Sequence, residues 1–189
     1  MENNFIRFTT SFILACLFHF FIIRFLLAYI SDYNILLEII SFLFVFLTFF
    51  ILLKGFYRLS RFDWIVLTFI YFISISFMLL GREDMGIAIT ELDPIEWIRQ
   101  LYYGSTNEWV FAFFNIIGFI PLPIIFGYWF HNNFFVFLFS LFTSSFFEFL
   151  QVILHRGVFD VGDILLYWIG ITFCFLTFYH AHWIYNHRS

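Results

Sequence analysis

The residues of this chain that could do chemistry are the polar ones set inside apolar runs, because such positions are costly to leave polar. Ser144, Glu148, Gln151 and His155 are spaced i, i+4, i+7 and i+11 in one such run. On a helix that spacing stacks them along a single face, and the face is expected to look into a helix bundle. A carboxylate with amide, hydroxyl and imidazole neighbours can hold a polar headgroup by hydrogen bonds. It can also pass a proton as general acid or base. Asn115 brings an amide to a neighbouring run, and Arg24 and Glu38 bring opposite charges to two more. The same groups could equally serve only to join helices by hydrogen bonds.

The segment after the stripe reads His155-Arg156-Gly157-Val158-Phe159-Asp160-Val161-Gly162-Asp163. Arg156 can pair with Asp160 or Asp163, the glycines permit a tight turn, and Asp163 fits as the N-cap of the next helix. Other chemistry is poorly supplied. There is no HExxH, no GxSxG elbow and no Gly-rich phosphate loop. The nucleophiles on offer are Ser144 and Ser145. Cys16 and Cys174 lie apart in apolar runs without metal-ligand spacing. His180 and His182 are two apart and do not share a helix face, and with His187 they read as interfacial histidines. Neither a metal nor a cofactor is expected.

The elements that must position these groups are membrane helices. Hydrophobic residues make up 63% of the 189 and charged ones 12%, against about 25% charged in a soluble domain. Apolar runs fall at 8–30, 35–53, 63–80, 109–130, 134–154 and 164–182, each long enough to cross a hydrocarbon core of about 30 Å. They lack the alternation of barrel strands, so they are helices. The fold class is an all-α polytopic membrane bundle of about six spans. It divides into three N-terminal spans (1–80), a loop (81–108), three further spans (109–182) and a tail (183–189). The first run is too long for a cleaved signal peptide. Net charge is −4 with no basic stripe, so no nucleic-acid partner is expected.

Lys54, Arg58 and Arg61 assign the loop between spans two and three to the cytoplasm, and with it both termini. The 81–108 loop is then outside. Within it, Asp93-Pro94-Ile95-Glu96 reads as a helix start, and Ile95, Ile98, Leu101 and Tyr102 share a face. A short helix lying on the outer membrane surface is predicted. Counting along the helices puts Arg24 and Asn115 about 9 Å, Glu38 about 6 Å and Glu148 about 10 Å below the outer surface. Span four carries Pro121 and Pro123, which leave the carbonyls of Ile117 and Phe119 without their usual donors and predict a kink. His19 is deeper and has no evident partner.

Taken in order, these residues resemble a family. Asn115-Ile116-Ile117-Gly118-Phe119-Ile120-Pro121-Leu122 is similar to the signature span of VanZ-like membrane proteins. So are Glu148-Phe149-Leu150-Gln151, then Arg156, Asp160 and Asp163, then Gly170. The resemblance covers residues 90–176. The chain departs from the pattern twice: Pro123 stands where the family has Gly, and Tyr167 where it has Asn.

The family is named for a protein associated with resistance to the glycopeptide teicoplanin. The resemblance implies a Gram-positive cell-membrane protein contributing to such resistance or to envelope homeostasis. Its expected ligands are a membrane lipid, a lipid-linked wall precursor or a lipoglycopeptide. Asn115, Glu148, Gln151, Arg156, Asp160 and Asp163 would form a polar pocket toward the outer leaflet, with Arg24, Glu38, Ser144, His155 and Pro121 in support. Two other readings stand beside this one. One is an intramembrane enzyme on a lipid-linked wall substrate with Glu148 as acid or base. The other is a structural subunit or transporter component.

Overall fold

A computed structural model describes residues 4–24, 35–55, 58–80, 89–93, 96–103, 106–130 and 132–180. The expected tail, 183–189, lies outside the described residues. Two compact units divide the chain, Met1–Glu83 and Asp84–Ser189.

The first unit holds α1 (Asn4–Phe18), which continues as a π-helical turn over His19–Ile23, then α2 (Ile35–Leu52) and α3 (Arg61–Leu80). α1 and α2 pack along a phenylalanine seam in which Phe8 meets Phe46 and Phe12 meets Phe42 edge-on. Such T-shaped pairs suit the positive edge and negative face of the rings. α2 stops at a turn in which Gly55 takes φ +77. α3 starts with a reciprocal cap. The Asp63 N–H donates to Ser60 Oγ at 3.2 Å, and the Ser60 N–H donates to Asp63 Oδ2 at 2.9 Å. This capping box satisfies two donors that a helix start would otherwise leave open.

The second unit holds β1 (Ile89–Glu91), α4 (Glu96–Tyr103), α5 (Thr106–Gly118), α6 (Pro121–Trp129), α7 (Asn133–Ile153), β2 (Val158–Asp160) and α8 (Val161–His180). α8 is its centre, packing on α5, α6 and α7. α4 is the short helix expected in the loop, with Ile98 and Tyr102 exposed. Its predicted start includes Pro94 and Ile95, which lie outside the described residues. β1 and β2 form a parallel pair in the register Ile89↔Val158, Thr90↔Phe159, Glu91↔Asp160. Three residues carry no period that would mark it in the sequence.

Among the described residues, four helices have the length and composition to cross a membrane: Phe5–Ile23, Arg61–Leu80, Trp109–Trp129 and Asn133–Ile153. Glu38–Leu52 and Val161–Thr177 are apolar but shorter. The architecture is the all-α membrane bundle that the six runs required, with α5 and α6 acting as one crossing.

At the break between α5 and α6 the carbonyls freed by the prolines find local donors. Ile117 O accepts the Ile120 N–H and Phe119 O accepts the Leu122 N–H, both at 3.2 Å. These tight i→i+3 bonds let Pro121 and Pro123 fall in the first turn of α6, where N–H groups have no intrahelical acceptor anyway.

Candidate functional site

The buried face of α7 carries Val136, Ser140, Ser144, Phe147, Glu148 and Gln151. Glu148 is 0% exposed and Gln151 1%. A buried carboxylate is tolerated when hydrogen bonds replace its water, and two neighbours supply them. The Asp160 N–H donates to Glu148 Oε1 at 3.0 Å. The Tyr167 hydroxyl donates to Glu148 Oε2 at 2.9 Å.

Tyr167 is the residue that the sequence reading undervalued. It is fully buried on α8, and its ring lies 4.1 Å from that of Phe119, centre to centre. Phe119 is itself fully buried at the α5–α6 break. The chain therefore departs from the family's Asn with a longer side chain whose phenol O–H reaches the carboxylate. The available signal was position: Tyr167 stands one helical turn after Asp163 and so shares its face.

A second link lies beside the first. Asn115 Nδ2 donates to Asp163 Oδ1 at 2.6 Å, joining α5 to α8. Nearby, α5 and α8 come into backbone contact: a Cβ built on Gly170 would lie 2.1 Å from the Ile116 carbonyl oxygen. Only glycine fits there. Asp160, not Asp163, acts as the N-cap of α8, because its Oδ1 accepts the Gly162 N–H at 2.7 Å. Asp163, in the first turn, is left to bind Asn115.

The expected stripe ends at Gln151. α7 closes at Ile153, and His155 leaves the face at φ 54, exposed. The His155 N–H donates to Val152 O at 3.1 Å and the Arg156 N–H to Gln151 O at 2.9 Å. Together these form a Schellman cap with histidine where glycine is usual. Its effect is to turn Arg156 back over the end of α7.

The two serines do not offer a nucleophile. Ser144 Oγ and Ser145 Oγ both donate to the Leu141 carbonyl, at 2.9 and 3.0 Å. Ser145 Oγ also accepts the Trp168 Nε1–H at 3.2 Å. An activated hydroxyl would instead face a base.

Arg24 and Glu38 belong to the first unit, where their side chains approach to 3.7 Å. His19 does have partners. Its Nε2 lies 3.1 Å from both the Glu38 carbonyl and Ser41 Oγ.

Helices long and apolar enough for a bilayer, arranged around an enclosed carboxylate, define a polytopic helical membrane protein with a buried polar core. The chain belongs to the VanZ/LLP1 family, whose model matches residues 62–184. The match begins at α3, earlier than the resemblance suggested, and takes in all of the residues just described around Glu148. No curated protein and no solved structure matches the chain.

Proposed function

We propose that this membrane protein contributes to resistance against teicoplanin-type glycopeptides, or to envelope homeostasis, by engaging a lipid-linked polar headgroup at the outer leaflet without catalysing a reaction on it. The observation that carries the reading is Glu148, wholly enclosed in a membrane-spanning helix and hydrogen-bonded to the backbone at Asp160 and to Tyr167. A carboxylate in that setting is expensive, and its partners tie the segment 154–160 to the helix bundle. That segment presents Arg156 and the exposed His155. Arg156 suits a phosphate or carboxylate, through two parallel N–H donors. Glu148, Asn115 and Asp163 then act as the frame and Arg156 as the contact.

The side of the membrane follows from charge. The loop bearing Lys54, Arg58 and Arg61 belongs to the cytoplasm, and α3 carries the chain across to the end where β1 and β2 pair. Glycopeptides act on lipid-linked wall precursors outside the cell, where this end would stand. The backbone bonds of Ser144 and Ser145 favour binding over catalysis.

The test compares teicoplanin susceptibility in a Gram-positive host expressing wild type, Glu148→Gln or Arg156→Gln at equal membrane abundance. Wild type should protect and both variants should lose most of that protection. Equal protection by all three would remove the role of this site. No protection by wild type, with unchanged cell-wall precursor pools, would remove the function itself.

A further inference from the structure

The segment that carries Arg156 is pinned to α7 at two points, and the pins are chemically unlike. Near its start the Arg156 N–H donates to the Gln151 carbonyl at 2.9 Å. Both partners are backbone, so neither changes with pH. At its end the Asp160 N–H donates to Glu148 Oε1 at 3.0 Å. Here the acceptor is a carboxylate, and its strength as an acceptor depends on whether it holds a proton. Asp160 is the last residue of β2, so this second pin also fixes the strand that pairs with β1.

The two oxygens of Glu148 answer a proton differently. Oε1 faces a backbone N–H, which can only donate, so a proton there would set donor against donor. Oε2 faces the Tyr167 hydroxyl at 2.9 Å, which can donate or accept. A proton on Oε2 is tolerated, because the phenol can turn to accept it while Oε1 stays an acceptor. Glu148 is the one titratable residue of α7. On the elements packed against α7, Asp160 Oδ1 accepts the Gly162 N–H and Asp163 Oδ1 accepts Asn115 Nδ2. Tyr128 stands near the end of α6, and Cys174, Tyr179 and His180 lie further along α8 than Tyr167. His155 and Arg156 are in the pinned segment itself.

We propose that proton uptake by Glu148 regulates this segment, which is held firmly on α7 while the carboxylate is ionised and loosens in acid. The second pin then passes from a charge-assisted bond to a neutral one, weaker by about tenfold. The first pin is unaffected, so the segment slackens at the Asp160 end and does not come away. Arg156 is presented less rigidly, and an anionic headgroup is held more weakly as pH falls. This regulation rests on the reading of Arg156 as the contact.

The test uses the full chain in phosphatidylcholine nanodiscs, isotope-labelled at the backbone nitrogens of aspartate and arginine and at glutamate Cδ for magnetic resonance. Amide exchange divided by its intrinsic rate at each pH gives the protection of each bond. Asp160 should lose about tenfold in protection between about pH 8 and about pH 5, while Arg156 keeps its own. Glu148→Gln holds the neutral arrangement permanently, with its carbonyl toward the Asp160 N–H and its amide N–H toward Tyr167. Its Asp160 protection should match the acid value of wild type at every pH. In wild type alone, the Asp160 amide shift and the Glu148 Cδ shift should titrate with a single midpoint, a readout that stands even where the variant does not fold. A flat wild-type profile or two separate midpoints would overturn the proposal. An equal fall in Glu148→Gln would also overturn it, in favour of Asp160 or Asp163 as the titrating group. No glycopeptide is present, so failure of this latch is distinct from failure of the role in resistance, which shows only in the susceptibility assay.

Discussion

At the scale of single residues, the molecule depends on how one carboxylate is satisfied. Tyr167→Phe keeps the ring packed against Phe119 and removes only the hydroxyl donor to Glu148. A hydrogen bond to a buried charge is worth about 1.5–3 kcal/mol. The variant should lose that much stability in a reversible unfolding titration in detergent, whereas a loss under about 0.5 kcal/mol would mean the bond contributes little. His155→Gly should act in the other direction. A left-handed non-glycine residue is strained by about 1 kcal/mol, so glycine should raise the unfolding midpoint if His155 has no role in binding. Loss of teicoplanin protection alongside higher stability would assign His155 to the contact surface. Glu148 and Asn115 were legible in the sequence because lipid makes buried polarity conspicuous. Tyr167 was not, because a tyrosine in an apolar run reads as packing until a carboxylate is found within reach of its hydroxyl. His155 was misread because an i+11 spacing assumes a helix that continues, and this one closes at Ile153.

Among elements, the contact between α5 and α8 is the least forgiving. Gly170→Ala would set a methyl group 2.1 Å from the Ile116 carbonyl oxygen. Backbone cannot rotate away as a side chain would, so the helices must part and the Asn115–Asp163 bond must lengthen. We expect a loss of about 1–3 kcal/mol or more, read as a lower folded fraction after extraction. Recovery in Gly170→Ala combined with Asn115→Ala would show that the two contacts strain against each other. The helices themselves were legible because their length is set by bilayer thickness, a constraint visible in any hydropathy profile. The strand pair was not, since three residues carry no usable period and the partner lies far along the chain. The proline break was half legible. The loss of donors could be counted, but their replacement by i→i+3 bonds depends on a local backbone choice that composition does not reveal.

For the whole molecule, orientation can be tested directly. Cys16 and Cys174 would first be replaced, and single cysteines introduced at Leu92, His155 and Arg58, all exposed. Leu92 and His155 flank paired strands and should react with a membrane-impermeant thiol reagent in intact cells. Arg58, one crossing away, should react only after permeabilisation. Reaction of Leu92 and His155 from opposite sides would contradict the pairing, and reaction of Arg58 from outside would reverse the proposed orientation. The family match from residue 62 to 184 leaves α1 and α2 outside it. Those helices carry the Arg24–Glu38 ion pair and the Arg7 guanidinium, features that the family pattern does not account for.

The pairing of Ile89–Glu91 with Val158–Asp160 also sets a schedule. Parallel strands cannot be joined by a tight hairpin. Here the intervening chain is α4, two membrane crossings and the turn after α7. During synthesis, β1 emerges early and has no mate until both crossings are inserted. Closure of this clasp is therefore a late event in maturation, and lesions in it should stall a fully inserted chain instead of blocking its entry into the bilayer.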